Sequence, residues 1–203
     1  MDKSIEQRQC ETCGEKVAYF NTIYISSTNK LTCSCLRCYN ERIAKECDSN
    51  FEHVEFEPVI LEDISRVNHE FYFTVRNLGD RVVIESFEIK DGNREGYEFS
   101  IIGDIDNDII IIFGKLIERM RRALNRKHIE WCKSTNRFQI AVDDIVRARI
   151  DCDLESDEYN GRHLPLIVID GKEIKWNDFG HMLMTYEGFN FKLNIFDKSD
   201  EIP

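Results

Sequence analysis

Four cysteines in two Cys-x-x-Cys pairs constrain this chain more than any other feature. Cys10 and Cys13 form the first pair, and Cys35 and Cys38 follow after twenty-one residues. A two-residue spacing on a tight turn lets both sulfurs of a pair face one ion, and two such turns complete a tetrahedral zinc site. Gly14, directly after the first pair, frees the backbone to turn. The second pair runs into Asn40-Glu41-Arg42-Ile43-Ala44-Lys45-Glu46, which reads as a short helix capped by Asn40 or a neighbour. Between the pairs, Val17 to Ile25 is apolar and β-branched, Ser26 to Asn29 is turn-like, and Lys30 to Thr32 resumes the strand. A knuckle, a hairpin and a second knuckle opening a helix predict a treble-clef-like or ribbon-like zinc module over residues 1–50. Four thiolates leave no open coordination position, so the expected Zn2+ ion, one per chain, is structural. Cys33, two residues before Cys35, and Cys47, beyond the helix, are the alternative ligands. Met1 to Gln9 has no apolar stretch of the kind an export signal needs. The expectation is a cytoplasmic setting, where paired cysteines favour a metal over disulfides.

Beyond the zinc module the pattern changes from cysteine spacing to hydrophobic period. Residues 51–133 read as an antiparallel sheet followed by one long helix. Pro58 interrupts the stretch 53–62 and marks an edge strand or a bulge. Phe71, Phe73 and Val75 alternate with polar residues, Val83, Phe87 and Ile89 define a face of the next strand, and Tyr97, Phe99 and Ile101 that of a third. Asn77-Leu78-Gly79-Asp80 and Asp91-Gly92-Asn93 are the turns between them. Ile109, Ile112, Phe113, Leu116, Ile117, Met120 and Leu124 then recur with helical period, one apolar stripe to cover the sheet. The acidic run Asp104, Asp106, Asp108 fails as a calcium loop, because Ile109 and Lys115 stand where glycine and glutamate are needed, and it reads instead as helix capping.

Residues 134–203 read as a C-terminal α+β unit. Phe138 to Val142 and Val146 to Leu154 suggest strands, with Cys152 expected inside; Trp131 and Cys132, just before, are expected to pack on the core. Asp170-Gly171 between β-rich runs signals a type I′ hairpin. Asn177 can cap a short helix, Asp178 to Glu187, ended by Gly188, and Phe189, Phe191, Leu193 and Ile195 alternate as a final strand. Residues 164–197 are therefore expected as a β-β-α-β unit, with a frayed tail from Asp197 to Pro203. The fold class is α+β throughout.

Charge bounds the function. The net charge of −11 divides into 0 over residues 1–50, −9 over 51–106, +4 over 107–133 and −6 over 134–203. An acidic chain repels nucleic acid unless its cations are concentrated. They are concentrated once, where Lys115, Arg119, Arg122 and Arg126 recur at i, i+4, i+7 and i+11 of the long helix. Internal pairing is the plain expectation for this row, and a partner-binding site the sharper one. The longest apolar run, Ile109 to Phe113, is far too short to span a membrane, so no membrane partner is expected. No nucleophile elbow, phosphate-binding glycine loop or His-Glu-x-x-His motif occurs, and single histidines such as His163 and His181 are ordinary side chains in such settings. These features predict an adaptor or regulatory protein that binds another protein. Nucleic-acid binding through the zinc module or the basic row is the alternative.

Three separated blocks carry a resemblance. They are Cys35-Leu36-Arg37-Cys38-Tyr39-Asn40-Glu41, then Gly96-Tyr97-Glu98-Phe99 leading to Gly103-Asp104, and finally Ile169 to Trp176 with Phe179 to Phe189. Together they resemble a family of uncharacterised bacterial proteins of unknown function that join an N-terminal paired Cys-x-x-Cys zinc module to an α+β body. The resemblance implies a bacterial, cytoplasmic protein and carries no catalytic residue across.

Overall fold

The computed structural model describes residues 5–27, 30–141, 145–156 and 162–200. Among them the chain is mixed α+β, with three α-helices and antiparallel sheets only.

The N-terminal module pairs β1 (Gln7–Gln9) with β2 (Lys16–Ala18). A hairpin follows, β3 (Thr22–Ser27) against β4 (Lys30–Cys35), with Thr22 opposite Cys35. The sequence-predicted turn residues Thr28 and Asn29 lie outside the described residues. Helix α1 (Leu36–Glu46) starts earlier than the sequence suggests, and its N-cap is Cys35, whose sulfur accepts the Cys38 N–H at 3.5 Å. Asn40 is no cap. It lies a turn inside α1 with no exposed surface.

The central sheet has the order β5-β6-β7-β8. Its strands are β5 (Val59–Glu62), β6 (Asn68–Asn77), β7 (Arg81–Lys90) and β8 (Asn93–Asp104). Proline cannot donate to a ladder, and β5 is a short edge strand that begins directly after Pro58. The β7–β8 turn places Asp91 and Gly92 both at positive φ, the backbone a two-residue type I′ hairpin requires. Helix α2 (Ile109–Leu124) is capped by Asp108, whose carboxylate accepts the Ile110 N–H at 2.8 Å. Its stripe Ile112, Leu116, Met120 and Leu124 shares one buried core with Phe71, Phe73, Val75, Val82 and Ile84. The face expected from Val83 and Phe87 is the opposite one, and it too is covered. Phe20 of the N-terminal module packs edge-on against Phe87 at 5.2 Å and at a tilt against Tyr72 at 5.7 Å.

The C-terminal unit departs further from expectation. Strands β9 (Ile129–Cys132) and β10 (Arg137–Ile140) form a hairpin, and β11 (Arg149–Asp153), β12 (Leu164–Ile169) and β13 (Lys172–Lys175) form a sheet. Val142, the expected end of one strand, lies outside the described residues. Ile129 packs in a second core with Ile167, Ile169, Ile174 and Met182. Trp131 is not buried but about half exposed, set edge-on to Phe138 across the hairpin. Cys152 is exposed, because β11 turns its polar side inward: Asp153 is buried, and Arg149 reaches Asp151, Glu98 and the Gly96 carbonyl. Asp170 and Gly171 both have positive φ, as the type I′ turn demands. Helix α3 (Trp176–Leu183) has Lys175 at its N-cap position, so Asn177 lies within the helix. A 3-10 turn, Met184–Tyr186, and Gly188 at φ +87° end it.

The final strand does not form. Residues 189–196 pair with no strand among the described residues, and Phe189, Phe191, Leu193 and Ile195 are 70–88 % exposed. Nor does the described part of the tail fray. Asp197 to Ser199 form a turn whose Lys198 ammonium meets Glu98 at 2.9 Å and Glu85 at 3.5 Å. Residues 201–203 lie outside the described set.

Candidate metal centre and cationic groove

The fold brings Cys10, Cys13, Cys35 and Cys38 together, with their sulfurs all within 4.8 Å of one another. The Cys13 and Cys35 sulfurs are 3.9 Å apart. Tetrahedral bonds of about 2.3 Å set sulfurs roughly 3.8 Å apart, so the cluster has the size of a metal tetrathiolate. Local structure makes this spacing. Gly14 at φ +79° closes the first knuckle, and its N–H donates to the Cys10 carbonyl at 2.9 Å. Glu11 ties that knuckle to β4: its carboxylate accepts the Cys33 N–H at 2.8 Å, and its N–H donates to the Cys33 carbonyl at 2.9 Å. Cys33 is thus engaged through its backbone and lies outside the sulfur cluster, as does Cys47, exposed at the end of α1.

The donor set suits a divalent cation. The Cys10 sulfur accepts N–H groups from Cys35 at 3.1 Å and Thr12 at 3.4 Å. Burial raises the Cys10 thiol, but the N–H groups of Cys35, Cys13 and Thr12 outweigh it and bring its pKa down to about 6. Burial pushes Cys35 and Cys38 up; the neighbouring sulfurs add to the rise at Cys38, while at Cys35 the Cys10 and Cys13 sulfurs add to it and Cys38 opposes it. Such a cluster holds one thiolate readily and resists further negative charge, which a bound cation would supply the means to offset.

The basic row divides. Lys115, Arg119 and Arg122 line a groove of about 550 Å³ between α2 and residues Ile101 to Asp104 of β8. Arg126 lies beyond the end of α2 and is not part of the lining. The Arg119 guanidinium donates to the Ser100 carbonyl at 2.5 Å and the Ser199 carbonyl at 3.0 Å, joining helix, sheet and tail. Glu118 and Asp104 contribute negative charge to the same lining.

Two further arrangements have only faint sequence signals. Asn40 donates to the Val75 carbonyl and accepts the Asn77 N–H, both at 2.8 Å, and a poor helix former inside a helix is the only hint of it. His69 lies between two carboxylates, Nδ1 2.8 Å from Glu88 and Nε2 3.5 Å from Asp63, and no local pattern announces it. Its contact with Glu88 raises its pKa against the opposing effect of burial.

Residues 52–125 match the model of a domain of unknown function, DUF7686, and residues 128–200 match a second one, DUF7713. The first match covers the central sheet and α2, and the second covers the C-terminal unit. No curated protein and no solved structure matches the chain.

Proposed function

We propose that the protein is a zinc-stapled adaptor or regulatory protein that acts by binding another protein, and that the groove between α2 and β8 receives an extended acidic segment of that partner. The carrying observation is the meeting of the last strand of the sheet with a groove lined by Lys115, Arg119 and Arg122. β8 is the last strand of its sheet. The Ser100 carbonyl points away from β7, towards Arg119. Alternate residues of an antiparallel strand present their backbone groups to the same side, so Ile102 also offers its N–H and carbonyl to the groove. An added strand gains affinity from such main-chain groups, and Lys115 and Arg122 beside them favour carboxylates.

Zinc is the metal assigned to the four thiolates, since sulfur-only tetrahedral ligation suits it and a closed site holds structure together without chemistry. A second Cys pair that opens α1 after a hairpin gives the treble-clef-like order expected of such a staple. The corresponding setting is a reducing, cytoplasmic one, where thiolates remain available.

The test is the Lys115→Glu, Arg122→Glu double variant, which spares the Arg119 bridge. It should fold normally and lose a partner whose binding weakens with salt and survives nuclease. Undiminished binding by the double variant overturns the groove as the docking site. Binding that nuclease abolishes replaces a protein partner with nucleic acid, against the charge of −11.

A further inference from the structure

Residues 189–196, Phe-Asn-Phe-Lys-Leu-Asn-Ile-Phe, have the alternation of a half-buried strand and the exposure of a loop. Among the described residues no backbone hydrogen bond joins 190–196 to any other segment. Both ends are nevertheless fixed. The Phe189 N–H donates to the Tyr186 carbonyl at 2.9 Å, and the Asp197 turn is tied down by Lys198 on Glu98 and by Arg119 on the Ser199 carbonyl. The segment is a tethered apolar ribbon presented to solvent. A ribbon held at both ends loses little freedom on docking, which favours association.

We infer that this ribbon pairs with the same ribbon of a second copy of the chain, antiparallel about a two-fold axis at Leu193. Three features select a second copy. The first is area: aromatic side chains carry about 150–250 Å² each, so Phe189, Phe191, Leu193 and Ile195, which share one face, offer roughly 600 Å² per copy. Wholly covered, the two faces amount to about 1,200 Å², the lower end of the roughly 1,200–2,000 Å² of a stable specific interface. The second is register. Pairing about Leu193 puts Phe191 opposite Ile195 and Lys192 opposite Asn194, keeping Phe191, Leu193 and Ile195 on one face, with Phe196 on the other, and like charges apart. The third is charge. The chain carries −11, yet residues 189–196 contain one lysine and no acid, so two copies meet there without acidic side chains facing each other. The interface is isologous and uses the same surface on both copies.

The experiment is light scattering coupled to size exclusion, on the metal-loaded full chain up to its highest soluble concentration. The wild-type protein should show twice the 24.0 kDa chain mass. Phe191→Asp with Leu193→Asp should return it to the single-chain mass with an unchanged fold by circular dichroism, because both side chains are exposed within a single chain. A wild-type protein that stays at single-chain mass overturns the proposal, including when the ribbon binds some other protein instead. A dimer that persists in the double variant also overturns it. For register, Leu193→Cys should form an inter-chain disulfide under mild oxidation and Lys192→Cys should not; the reverse pattern overturns the two-fold at Leu193.

Discussion

The side chain of Asn40 occupies the place of a missing strand beside Asn77: its carbonyl oxygen accepts the Asn77 N–H at 2.8 Å while its amide nitrogen donates to the Val75 carbonyl at 2.8 Å. β5 pairs with β6 only as far as Phe71, so the far part of this edge would otherwise end in unpaired groups. A carboxamide carries the same donor and acceptor as a peptide unit, and α1 delivers it fully buried. Asn40→Ala should leave both backbone groups unsatisfied, each at about 1–3 kcal/mol, for a total of about 2–6 kcal/mol in urea unfolding. A loss below about 0.5 kcal/mol would mean that water replaces the amide without cost.

Metal loading should reach one ion per chain by elemental analysis, and Cys13→Ser should empty the site. Structural zinc contributes on the order of 10–16 kcal/mol to small domains, so that variant should lose the order of β3, β4 and α1. Cys33→Ser and Cys47→Ser should load like the parent chain. An empty site in either of them reassigns the ligands.

The helix–sheet contact sets a third expectation. A Cβ at Gly103 would collide with the Ile112 side chain. Gly103→Ala should therefore cost about 1–3 kcal/mol by overpacking. Ile112→Ala and Leu116→Ala should cost about 2–5 kcal/mol each as cavities. Gly103→Ala combined with Ile112→Ala should cost less than the sum of the two, because the smaller side chain removes the collision. Strict additivity in thermal or urea unfolding would show that the two residues do not touch.

His69 makes stability depend on pH. Its folded pKa is raised, chiefly by Glu88, with burial opposing and Asp63 adding to the rise. The stabilisation from its charged form is therefore complete below the unfolded value of about 6.5 and fades as pH climbs through the folded value. The advantage of the wild-type chain over His69→Asn should shrink as pH rises above about 6.5 and through the raised folded value. An advantage that grows as pH rises would mean that His69 is neutral when folded.

Local signals were legible in the sequence, and completions supplied from a distance were not. The cysteine spacing, the stripe on α2 and the Asp170-Gly171 turn each express one element's own period or backbone demand, and each lies where it was expected. Alternation shows that a strand has two unlike faces without showing which is covered, hence the exposed Cys152 and half-exposed Trp131. The ribbon 189–196 is the extreme case, with a strand's pattern and no strand beside it. The Arg119 bridge to Ser100 and Ser199 joins residues eighty apart and leaves no periodic trace. Of the basic row, spacing put four cations on one side of a helix; only the sheet edge separates the three that line the groove from Arg126.

Cys35 belongs to the cysteine cluster and also caps the helix that carries Asn40. If the cluster holds a metal as proposed, its removal would reach past the N-terminal module to the far half of the β6 edge. With Asn40 withdrawn, residues 73–77 would expose a run of free N–H and carbonyl groups flanked by Phe73 and Val75, a template on which other chains can add. Metal-starved protein is accordingly expected to aggregate through β6 before its central core melts.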